Sequence, residues 1–211
     1  MSRSLYYIRR WVQLLSGLFV FGFAAAMMLR AGLGVDPWTV FADGFNVTWG
    51  FGIGWVIVVS GLAVLLFWIP LRQRPGIGTI LNALLVGPSI EVGIALVDTP
   101  ELFSQRVSLF AAGLLMMGIA SGLYIGAGFG PGPRDGLMVG LNARFGWPLW
   151  VARTLVEVTV LAIGWTLGGS FGVGTVVFAL MIGPLAQRAI LVFRVGPYLA
   201  KGAEPSNETG I

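Results

Sequence analysis

The sequence predicts an all-α integral membrane protein. Six transmembrane helices form two inverted three-helix repeats, each with a short re-entrant or interfacial helix. Three observations carry this. Of 211 residues, 56% are hydrophobic and 10% charged, with a mean hydropathy of +0.87. Soluble domains carry about 25% charge, so this chain cannot cover a water-facing surface. Six apolar runs are each close to the length a helix needs to cross a bilayer. Finally, the sequence matches itself at a fixed shift.

Composition also excludes function classes. A soluble monomer, a disordered chain and a nucleic-acid binder all need more charge than this. The chain has neither His nor Cys. That removes His/Cys metal sites, thiol chemistry and Ser–His triads. No cofactor or metal is expected, and no enzymatic activity.

Residues 1–10, with Arg3, Arg9 and Arg10, read as a cytoplasmic N-terminus. The first span is 11–29. Its basic flank and Ala24-Ala25-Ala26 resemble a signal peptide, but the segment has a counterpart inside the chain and so reads as a helix. The remaining spans are 53–69, 77–97, 107–125, 147–167 and 173–193. Repeat 1 covers 11–97, a connection outside the membrane covers 98–106, and repeat 2 covers 107–195. Residues 196–211 form a polar cytoplasmic tail.

The repeat is a shift of 96 residues, the separation of Gly32 and Gly128. Gly17 falls on Gly113, Gly22 on Gly118, Pro37 on Pro133 and Asn46 on Asn142. Gly76, Gly78 and Thr79 fall on Gly172, Gly174 and Thr175, and Gly87-Pro88 on Gly183-Pro184. The register holds without a gap and recruits Pro, Asn and Thr as well as Gly.

Between the first and second spans of each half lies a short segment, 37–49 or 133–144. Thirteen helical residues reach only about 20 Å, short of a 30 Å hydrocarbon core. Each begins with Pro, suited to the first helical position. Asp36 stands where an N-cap belongs; Asn46 and Asn142 stand where C-caps are expected.

Positive charge sets the orientation. Six spans with both termini inside put Arg3, Arg9, Arg10, Arg72, Arg74, Arg134, Arg144, Arg188, Arg194 and Lys201 in the cytoplasm. Arg30 and Arg106 fall outside, and Arg153 within a span. An odd number of spans per half inverts the second half. Trp at most span ends forms an interfacial belt.

Inverted halves with interrupted helices mark transporters. Gly87-Pro88 and Gly183-Pro184 are candidate breaks lining a central site; packing kinks are the alternative. In the loops before the short helices, Asp36, Arg134 and Asp135 are candidate binding residues. A helix N-terminus favours an anion, and Arg134 adds to that preference. Asp135 pairs with Arg134, or the two neutralise each other structurally. Glu157 lies inside the fifth span with Arg153 four residues earlier, on the same face. Glu91, in the third span, is a proton or cation site or a partner for Arg106 or Arg30. Asp43 is a further charge in the first short helix.

Gly32-Leu33-Gly34 with Asp36-Pro37-Trp38, and Gly130-Pro131-Gly132-Pro133-Arg134-Asp135-Gly136-Leu137-Met138, resemble the bacterial YczE-like membrane proteins, grouped with YyaS and YitT. Where that family is expected to read Pro-Trp-Asp, Thr39 follows Trp38 and the acid is Asp36. The resemblance implies a small multi-spanning protein of the bacterial cytoplasmic (inner) membrane and names no substrate.

Two functions fit. One is a transporter or exporter of a small solute, with its site where the halves meet. The other is a non-transporting accessory that helps assemble a partner complex, with small-residue faces such as Gly17 to Gly22 used for association. Expected partners are the lipid bilayer, an unidentified small solute and a second copy of the chain.

Overall fold

The structure is a computed structural model and describes residues 3–195. The expected tail, with Lys201, lies outside the described residues. The chain order is α1 (Arg3–Ala31), α2 (Pro37–Trp49), α3 (Ile53–Trp68), α4 (Ile77–Leu96), α5 (Phe103–Gly126), α6 (Pro133–Phe145), α7 (Leu149–Thr166) and α8 (Val173–Phe193). Each expected span and short segment is a helix.

Four of these, α1, α4, α5 and α8, are long and apolar enough to cross a membrane. α3 is apolar but has 16 residues, about 24 Å of helix. α7 has 18 residues and carries Arg153 and Glu157.

The short helices end differently from expectation. Asn46 and Asn142 lie within the last turn. Their carbonyls accept from Gly50 N and Gly146 N at 2.8 and 2.9 Å. Gly50 and Gly146 are the left-handed caps, because a residue without Cβ takes that conformation freely.

α1 and α5 pack along each other as an antiparallel central pair. A Cβ on Gly17 would meet Tyr124 and Leu123, and one on Gly113 would meet Met28 and Ala24. Leu14, Leu18, Met28 and Met117 are fully buried around this seam. α4 packs on α1, with Gly22 against Ser89 and Val86. α8 packs on α5, with Gly118 against Leu185. α2 lies on α7 and α3 on α6. Trp68 fills the surface of Gly136 and donates from Nε1 to Pro133 O at 3.1 Å.

The loops lock in the same matched way. Gly78 N donates to Phe129 O at 2.9 Å, and Gly174 N to Leu33 O at 2.7 Å. Gly34 and Gly130 hold φ of 109° and 114°, and the Thr175 and Thr79 side chains sit where their Cβ atoms would be. Only glycine combines that backbone with that contact.

Candidate functional site

The site begins with two helix N-termini. Pro starts α2 and α6 alike, and the loops before them aim both starts at the same place. There Asp36 accepts from Trp38 N and Thr39 N at 3.2 and 3.3 Å. It also accepts from the Thr39 hydroxyl. Asp36 is therefore the N-cap the sequence predicts. Its Oδ1 also meets Arg134 Nη1 at 3.1 Å, although the two residues lie 98 positions apart. The Arg134 guanidinium stands over the Trp38 ring, 5.0 Å from its centroid. The start of each short helix thus grips the other. Trp38 Nε1 is buried with no hydrogen-bond partner.

Next to this junction lies a cavity of about 340 Å³. Asp36, Arg134, Asp135, Arg153 and Glu157 all line it. Asp135 pairs with neither arginine. The Tyr124 hydroxyl donates to its Oδ2 at 3.2 Å, and the N-terminus of α6 favours its charge. Arg153 Nε meets Glu157 Oε1 at 3.0 Å, one turn along α7. The lining therefore holds one more carboxyl side chain than guanidinium. Phe21, Trp38, Met117 and Phe178 supply apolar walls. Among the described residues, no group of three acidic side chains gathers as a metal site.

Four polar lining residues were not among the expected ones: Asn82, Ser121, Tyr124 and Gln187. Gln187 was accessible to sequence reasoning, because it is the repeat partner of Glu91. Asn82 was also visible, as an amide within the third apolar run. Ser121 and Tyr124 give no signal alone, since both residue types are common in membrane helices.

Other candidates fall elsewhere. Glu91 Oε1 accepts from Gly54 N at 2.6 Å and so holds the first turn of α3; it does not line the cavity. Its expected partner Arg30 instead donates to Ile94 O at 2.5 Å. Asp43 accepts from Ser170 N and its hydroxyl at 2.8 and 2.6 Å, fastening α2 to the α7–α8 loop. α4 and α8 run unbroken through Gly87-Pro88 and Gly183-Pro184. Neighbouring helices in a membrane protein tolerate proline in this way. Of those four residues, Gly183 lines the cavity, whereas Gly87 is pressed against Gly54.

The chain is similar to an uncharacterized protein of Haemophilus influenzae, 37% identical over 82% of this chain and 80% of that protein. It is 30% identical to the "uncharacterized membrane protein YczE" of Bacillus subtilis over 83% of each chain. The YyaS protein of the same organism is 22% identical over 80% of this chain and 86% of its own. No solved structure matches. The apolar helices and the relative named as a membrane protein place the chain in a membrane. A family model described as a family of unknown function, DUF6198, matches residues 8–190, and the chain belongs to that family, whose relatives are the YczE-like proteins.

Proposed function

We propose that this protein is a small-solute transporter or exporter of the bacterial inner membrane, binding its solute in the cavity at the junction of α2 and α6. In this reading the chain is two inverted halves of three spans each, with both termini in the cytoplasm. The observation that carries it is the Asp36–Arg134 contact, which joins the first helix turns of two repeat-matched segments beside a polar cavity. Helix ends meeting at mid-membrane between inverted halves are how many carriers build a solute site. The antiparallel course of the repeat-matched α1 and α5 supports the inversion. No chemical step is assigned to the chain.

The accessory reading has less support. Gly17, Gly22, Gly113 and Gly118 are the small residues a partner helix would use. All four are spent on contacts within the chain.

The test is solute flux into vesicles holding the purified protein, screened over charged and zwitterionic solutes. Glu157→Gln and Arg134→Ala are each expected to cut flux at least tenfold, because each leaves a charged partner unpaired in the cavity. Flux that survives both changes overturns this site.

A further inference from the structure

Repeat-matched positions show that the two flanks of the cavity differ. In the first half, α3 and α4 are closed on each other. A Cβ on Gly87 would collide with Gly54 O, Glu91 caps Gly54 N, and Gly61 faces Ala83. In the second half the matching residues are Gly183, Trp150, Gln187, Glu157 and Ala179. Nothing lies within 4 Å of a Cβ on Gly183. Trp150 stands where close packing requires glycine, and it is 71% exposed. α8 leans on α5 and makes little contact with α7. Only 11% of its most apolar stretch is buried, against 39% for α4.

The result is a gap between α7 and α8. The Arg153–Glu157 pair lines the cavity and also a second recess of about 420 Å³ in that gap. Beyond the pair the recess is walled by Val158, Leu161, Val176 and Ala179. The recess therefore adjoins the cavity, and one ion pair stands between them.

We propose that the cavity takes an amine-bearing amphiphile, which enters sideways from the bilayer between α7 and α8. The proposal rests on the reading of the cavity as a solute site and narrows that solute. The apolar chain occupies the gap, where it stays out of water. The amine meets Asp135, the lining carboxylate with no guanidinium partner. Phe21, Trp38 and Tyr124 line the same cavity, and aromatic rings attract cations. An aminophospholipid and a free long-chain amine share this chemistry.

The experiment is native mass spectrometry of the purified protein from micelles holding phosphatidylethanolamine and phosphatidylglycerol in equal amounts. Parallel samples hold dodecylamine or ethanolamine. Preferential retention of phosphatidylethanolamine supports the proposal with the lipid as ligand; binding of dodecylamine alone supports it with a free amine. Asp135→Asn removes a charge-assisted contact, so retention should fall about tenfold. Ala179→Phe, with Val176→Trp as a second plug, should fall as far by filling the gap, while the melting temperature holds. Equal retention of both lipids with no response to dodecylamine overturns the proposal. So does binding that both plugs leave intact. Ethanolamine binding as tight as that of dodecylamine overturns the route from the bilayer. If no amphiphile binds while vesicle flux persists, this proposal fails and the solute-site reading stands.

Discussion

Asp36 holds the first turn of α2 through two backbone N–H groups and the Thr39 hydroxyl, and the Oδ1 that accepts from the backbone also pairs with Arg134. Its side chain is 4% exposed, that of Arg134 25%. The two roles separate by substitution. Asp36→Asn keeps an acceptor for the cap and loses the ion pair. Asp36→Ala loses both, and the additional loss is one N-cap, about 1 kcal/mol. Thermal melting in detergent should rank wild type above Asp36→Asn, and Asp36→Asn above Asp36→Ala. Equal melting of the two variants would show that the cap adds nothing. The cap was legible in the sequence because its partners lie two and three residues away. The ion pair was not, because α1 to α5 must pack before residues 98 apart can meet. Glu91 shows the same limit: one charge in an apolar run says that a partner exists, and only packing names it as Gly54 N.

α4 and α8 carry the same Gly-Pro at matched positions, and sequence alone treats the two as equal. Their surroundings are not equal. Gly87 lies against the Gly54 backbone, whereas Gly183 has open space. The same substitution should therefore have opposite effects. Gly87→Ala must force α3 and α4 apart, and overpacking of this kind costs about 1–3 kcal/mol. Gly183→Ala touches nothing and gains helix propensity, about 0.5–1 kcal/mol. Melting of the two variants side by side checks this. If both lose stability equally, the α7–α8 gap is not there in the folded protein. Helix existence was legible here from apolar run length and from Gly, Pro and Arg punctuation, whereas α1 and α5 begin at Arg3 and Phe103, before the apolar runs expected at 11 and 107. Whether a Gly-Pro breaks a helix depends on neighbours that the local text does not contain.

At the scale of the molecule, glycine contacts between helices recur at repeat-matched positions. Gly17 against Tyr124 matches Gly113 against Met28, and Gly44 against Leu167 matches Gly140 against Leu71. The duplication was legible because the register never slips; the unequal α3–α4 and α7–α8 seams were not, since they turn on packing between helices. The number of crossings follows from how α3 and α7 are placed. α3 is about 24 Å long and α7 about 27 Å, and a bilayer can thin locally to accept such lengths. If they cross, residues 70–76 face the cytoplasm with Arg72 and Arg74, and residues 98–102 face outward with Asp98 and Glu101. If only α1, α4, α5 and α8 crossed, α1 and α5 would run in the same direction, against their antiparallel packing. The chain has no Cys, so a single introduced thiol reports alone. With six crossings, an impermeant maleimide on intact spheroplasts should label Ser104→Cys and spare Pro75→Cys until lysis. The reverse pattern would put the N-terminus outside, together with Arg72 and Arg74, against the positive-inside rule.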